Sequence, residues 1–354
     1  MKENRGAEEQ RSRGAEERRN SSAPPLLGPF APVPVGLSRS ALIIGLVSLL
    51  ADISSEMIYP ILPVFLTQTL RAPATAVGLI EGLANGTASV ISGISGWVSD
   101  RARRRRSVAF AGYALTALSR PMIALATVWP VVLAARFFDR FGRGVRVAPR
   151  DALLAETSPA EYRGRAFGYE RAMDSAGAVL GPLVGLALVA GVGLELRKVF
   201  LISAIPASLA ALMILAVSEQ RSGEGASSVR LTLEGTTREY RRLLIVTGVF
   251  GLANSANAFL ILRARQLGLT TGQTIFAYAL CNAVAALVSM PAGSASDRSG
   301  RRNLLVAGYS IYAISYAGVA IAGTPWLIWP LFALYGLFPA LTDGVSKALA
   351  VDTA

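Results

Sequence analysis

Ten long apolar runs constrain this chain more than any other feature. A segment inside a bilayer must satisfy its own backbone hydrogen bonds, which leaves helices and closed barrels as the spanning structures. A hydrocarbon core about 30 Å thick takes a helix of about 20 residues. Runs of that length occupy 41–68, 74–98, 107–127, 129–151, 166–191, 197–217, 243–263, 272–295, 303–322 and 326–350. They are too long and too continuous for barrel strands. The expected class is therefore an all-α integral membrane protein with ten spans, numbered here segments 1 to 10. Only 16% of the residues are charged and mean hydropathy is +0.46, against about 25% charged residues in soluble domains.

Charge placement sets an expected orientation. The net charge of +12 comes from arginines in the short connections, and such loops face the cytoplasm. One side collects Arg101 to Arg106, the 150–165 and 218–242 stretches, and Arg298, Arg301 and Arg302. The other side holds little beyond Arg71, Arg197, Lys198, Arg263 and Arg265. This predicts a multi-pass protein of the inner (plasma) membrane, with residues 1–40 a disordered cytoplasmic tail. Nucleic acid is not an expected partner, because the basic residues follow membrane topology. The chain has no His and a single cysteine, Cys281, so no disulfide, metal site, cofactor or catalytic residue is expected.

The chain reads as a duplication. Gly96-Trp97-Val98-Ser99-Asp100-Arg101 and Gly293-Ser294-Ala295-Ser296-Asp297-Arg298 open two matching ten-residue stretches, the second continuing through Gly300 and Arg301. Each lies between two apolar segments, which predicts a short basic loop there. The polar stretch 218–242 reads as a linker between a first bundle (41–217) and a second (243–354). Aligning the copies sets Asp52 against Asn254 and brings Ala354 level with Ser158. The first half continues past Ser158 for two more segments. The expectation is therefore two six-helix repeats with the last two helices missing from the second.

The motifs resemble those of the major facilitator superfamily. Gly96 to Arg105 and Gly293 to Arg302 are similar to its motif A, G-x-x-x-D-R-x-G-R-[RK], with Arg103 departing from the glycine in the first copy. Arg136-Phe137-Phe138-Asp139-Arg140-Phe141-Gly142-Arg143-Gly144 is similar to motif B, with Arg140 in place of its first glycine. Gly177-Ala178-Val179-Leu180-Gly181-Pro182-Leu183-Val184-Gly185 resembles motif C, G-x-x-x-G-P-x-x-G, which the family associates with proton-coupled exporters. The resemblance implies parallel halves around a central site near the midplane, lined by segments 1, 4, 7 and 10. It implies a monomeric secondary transporter of a drug-exporter-like branch, working by alternating access as a proton antiporter for efflux of a small organic molecule. The alternative is a transport-inactive membrane fragment of a longer transporter.

Ionisable groups inside a membrane are costly and point to function. Asp52 and Glu56 lie four apart and share a helix face, as do Arg136, Asp139 and Arg140. At a rise of about 1.5 Å per residue, Glu56 comes out level with Arg136, and Asp52 level with Asp139 and Arg140. These five residues are the expected proton-coupling network, with Asn254 and Asn257 of segment 7 as neutral substrate-binding amides. Static ion pairing between helices is the competing reading. Motif A (Gly96, Asp100, Arg101, Gly293, Asp297, Arg298, Gly300 and Arg301) is expected to form a gate, and Gly177, Gly181, Pro182 and Gly185 a hinge.

Overall fold

A computed structural model describes residues 37–102, 104–159, 162–219, 237–254 and 256–353. The expected tail lies outside the described residues up to Gly36. Every described regular element is a helix, and the ten expected segments are all present. α1 (Arg39–Ile58) begins inside the expected tail because the Ser38 hydroxyl accepts from the Ala41 amide at 3.1 Å and caps it. It continues through a turn into Leu62–Val64 and a π-helical turn at Phe65–Thr69. α2 (Ala74–Ala102), α3 (Arg105–Leu125), α4 (Trp129–Thr157), α5 (Arg163–Leu186, then a π turn at Ala187–Gly191) and α6 (Leu196–Ile214) complete the first half.

The second half departs from expectation at segment 7. In place of one helix over 243–263 there are two, α7a (Arg238–Ala253) and α7b (Asn257–Gln266), separated by extended backbone at Asn254 and Ala256. Asn side chains compete with the helix for backbone hydrogen bonds, and broken helices recur at the binding sites of membrane transporters. The linker is also shorter than 218–242, since Thr237 caps α7a by accepting from the Tyr240 amide. α8 (Thr271–Ser299), α9 (Arg301–Ile321) and α10 (Ile328–Thr353, preceded by a 3-10 turn at Pro325–Leu327) follow.

Among the described residues, seven helices are long and apolar enough to cross a membrane. α4 is excluded by its own charges, yet it turns them inward: Arg136, Asp139, Arg140 and Arg146 are all buried.

Glycine seams hold the first half together. A Cβ on Gly142 would lie 2.5 Å from the Gly112 carbonyl, so α3 and α4 cross at backbone distance. A Cβ on Gly144 would meet the Ile91 Cβ at 2.8 Å, and the Gly144 carbonyl accepts from the Ser95 hydroxyl at 2.8 Å. Small residues permitting such approach are the main adhesive of membrane helices.

Motif A differs from the predicted basic loop. Gly96, Asp100 and Arg101 belong to α2, and Gly293, Asp297 and Arg298 to α8, so both helices run on through the motif. The side chains of Asp100, Arg101, Asp297 and Arg298 lie outside the described residues, as does Arg103. Gly300 has φ of 86°, a conformation that favours glycine. It makes the turn into α9, which Arg301 opens. In the first copy, Arg105 pairs with Glu156 at the end of α4. The Arg106 amide donates to Glu219 Oε1 at 3.1 Å. These two positions tie helix ends together.

Candidate functional site

The interior of the first half is an ion-pair network, but its pairs are not the ones depth predicts. Arg136 donates to Glu81 of α2 at 2.8 Å and to Asp139 at 3.1 Å. Asp139 also meets Arg120 of α3 at 3.2 Å. Arg120 in turn donates to the hydroxyls of Ser54 and Ser55 on α1 at 3.2 and 3.0 Å. The helix-1 acids have other partners: Asp52 pairs with Arg143 at 3.4 Å, and Glu56 accepts from the Tyr278 hydroxyl at 2.9 Å. The expected contact of Asp52 and Glu56 with Arg136, Asp139 and Arg140 is therefore corrected. Depth is a coordinate along the helix only, and a neighbouring residue is turned by about 100° around it.

Sequence reasoning missed Glu81, Arg120, Arg143 and Tyr278 as site residues. The signal for the first three was available, since each is a charge inside an apolar span. Tyr278 carried none, because a tyrosine in a membrane helix reads as packing.

Motif C lies directly behind the acids. A Cβ on Gly177 would sit 2.8 Å from the Asp52 Cβ, one on Gly181 would sit 2.8 Å from the Glu56 Cβ, and one on Gly185 would sit 2.6 Å from the Met57 carbonyl. All three glycines therefore face α1, and the two helices touch along their backbones. Asp174, one turn before Gly177, lies near enough to Asp52 for the two carboxylates to feel each other's charge. Pro182 sits inside α5 without ending it. Having no N–H, it leaves the carbonyl four residues back without a helical partner. That carbonyl belongs to Ala178, and the Asn282 side chain of α8 donates to it at 2.8 Å.

Asn282 and Tyr278 are four apart on α8, so one face of that helix grips both α5 and α1. Among the described residues, further contact between the halves lies towards the end away from motif A. There Val64, Ile261 and Tyr278 form one buried cluster, and the Phe259 ring reaches Gly78.

The expected amides of segment 7 part company. Asn257 accepts from the Tyr335 hydroxyl at 2.6 Å, while Asn254 is exposed at the helix break. Around Tyr335 stands an aromatic group: Phe250 packs on Tyr309 with ring centroids 4.3 Å apart, and Tyr312 on Tyr316 at 4.5 Å. Near α4, the clasp of buried arginines with carboxylates continues towards the polar end of α5. Arg150 pairs with Glu170 at 2.8 Å, and Glu170 accepts from Ser48 at 2.8 Å.

Two packed helical halves, inward-turned charges on membrane helices and a broken helix beside a central polar site together define a polytopic membrane transporter fold. The match to a family model confirms it, and the chain belongs to the Major Facilitator Superfamily, over residues 44–354. It is 31% identical to an MFS-type transporter of Methanocaldococcus jannaschii over 323 residues, covering 89% of this chain and 81% of that one. It is 24% identical to the multidrug resistance protein MdtG of Citrobacter koseri over 319 residues, covering 86% and 78%. Among solved structures, the nucleoside transporter NupG superposes with a TM-score of 0.68 at 14% identity, over 88% of this chain and 85% of that one. A likeness at that identity speaks for the fold alone. The chain is thus a multi-pass membrane transporter moving small-molecule substrates.

Proposed function

We propose that the chain is a proton-coupled efflux transporter, working by alternating access on a small organic molecule, as a monomer in the inner membrane with its N-terminus cytoplasmic. The observation that carries this reading is the placing of Asp52. It is a carboxylate within a membrane span, 3.4 Å from the guanidinium of Arg143 on another helix and against the motif C glycines. A buried carboxylate stays ionised while a cation holds it, and takes a proton when that cation withdraws. Relative movement of α1 and α4 would thereby link protonation to conformation, which is the requirement for coupling. The likeness to a multidrug resistance protein supports export.

The test uses proteoliposomes with an imposed pH gradient and a panel of anionic, neutral and cationic dyes. The chain is expected to move at least one dye at a gradient-dependent rate, and Asp52→Asn to reduce that dependence at least tenfold. Gradient-independent movement, or undiminished coupling in Asp52→Asn, overturns the proposal.

A further inference from the structure

Most buried charges of the first half are matched: Arg136 with Glu81 and Asp139, Arg120 with Asp139, Arg143 with Asp52. Arg140 is not. It sits on α4 between Arg136 and Arg143, with nine-tenths of its surface buried. No carboxylate lies within ion-pair distance of it among the described residues, and its Nε has no hydrogen-bond partner. A guanidinium keeps its charge in any protein setting, whereas a carboxylate can discharge by taking a proton. An unpaired cation inside a membrane is costly, so Arg140 is open to a negative charge brought from outside; Arg146, also buried with no carboxylate in ion-pair reach among the described residues, lies instead against the Tyr113 ring at 4.4 Å. Arg140 also stands where motif B of the resembling family has glycine, so this cation is a departure from that pattern.

The surroundings of Arg140 suggest what brings the charge. It lies near Tyr59, over which Arg136 also sits at 5.9 Å. The Tyr59 ring packs on Tyr278 across the boundary between halves, centroids 5.3 Å apart. Beyond that boundary the second half offers rings: Phe250, Tyr309, Tyr312, Tyr316, Tyr335 and Phe338 form one connected group, with Tyr316 and Tyr335 centroids at 5.7 Å. The positions 309, 312 and 316 share one face of α9, and all three rings are half-buried. The first half therefore offers a fixed cation, and the second half offers flat, apolar faces.

We infer that Arg140 binds the anionic group of the transported molecule, which is an organic anion with a flat, aromatic or conjugated body. Planar guanidinium forks suit carboxylate, phosphate and sulfonate groups alike, and offset ring stacking suits the body. An organic cation, which Glu56 and the tyrosines would favour, is the opposing case. Glu56 already accepts from Tyr278 and can be neutralised by a proton, so it does not demand a counter-ion as Arg140 does. The inference rests on the chain being a transporter, but not on proton coupling.

Equilibrium binding to the purified full chain in lipid nanodiscs tests it, with no gradient imposed. The probes are 1-pyrenesulfonate and a pyrenylmethyl-trimethylammonium salt, which share one ring system and carry opposite permanent charges. The sulfonate is expected to bind at least tenfold more tightly than the ammonium. Arg140→Gln is expected to weaken sulfonate binding at least tenfold, and Arg140→Lys to restore part of it. Should Arg140→Gln fail to fold, the preference of the native chain decides the matter. Equal or tighter binding of the ammonium, no binding of either probe, or sulfonate affinity within twofold in a folded Arg140→Gln overturns the inference. Because binding is read without transport, loss of coupling in proteoliposomes leaves this result untouched, and the reverse also holds.

Discussion

The hydrogen bond from Asn282 to the Ala178 carbonyl exists because Pro182 cannot occupy that carbonyl. Two substitutions separate the cause from the contact. Asn282→Ala removes the donor. Pro182→Ala restores an α5 amide that competes for the acceptor. A side-chain hydrogen bond between membrane helices contributes about 0.6 kcal/mol on average and up to about 1.7. If it holds only the state in which the halves meet away from motif A, its loss favours the opposite state by about threefold to about sixteenfold. Ile261 is a suitable reporter, being buried where the halves meet with Val64 and Tyr278. In an Ile261→Cys chain with Cys281→Ser, the rate of labelling by a membrane-impermeant maleimide follows the open population. Asn282→Ala should raise that rate by the stated factor. In a Pro182→Ala background the same change should have a smaller effect, because the bond is already displaced. Strict additivity of the two changes, or a labelling rate within 1.5-fold of the parent, refutes the reasoning.

Three further outcomes follow. Gly181→Ala places a methyl 2.8 Å from the Glu56 Cβ and should cost about 1–3 kcal/mol in reversible unfolding from mixed micelles, by overpacking. Gly248→Ala, whose added methyl meets nothing within 4 Å, should be neutral or stabilising; equal losses in both would show that the seam is not tight. Arg136→Gln leaves Glu81 without its cation and Asp139 with one fewer, and should lower stability by about 3–5 kcal/mol in the same assay, so a loss under about 1 kcal/mol would mean the pair is not desolvated. Gly300→Ala should lose about 1 kcal/mol because its φ of 86° disfavours a side chain, and an unchanged midpoint would contradict that backbone conformation.

The spans were legible because hydropathy and length are one-dimensional quantities, and a bilayer reads them directly. The motif C glycines were legible as a packing face for the same reason: their spacing alone puts them in one stripe. What the sequence did not reveal is azimuth and partner. Arg136 and Glu56 agree in depth, yet Arg136 points to Glu81 on α2, and Glu56 to Tyr278 of the other half. The break lies at the polar run Asn254-Ser255-Ala256-Asn257; it was hidden because the apolar stretches flanking that run add up to the length of one span. Arg143, three residues from Arg140, holds Asp52, whereas Arg140 has no carboxylate in ion-pair reach among the described residues.

The glycine seam between α1 and α5 has a consequence for signalling distance. Asp52 presses on Gly177, and the next residue of α5 is Ala178, whose carbonyl is held by the other half. A change of charge at Asp52 therefore does not have to travel through a chain of side chains to be felt at the boundary. On the proposed mechanism, the residue that takes the proton packs against Gly177, and the contact between the halves begins at the next residue of the same backbone.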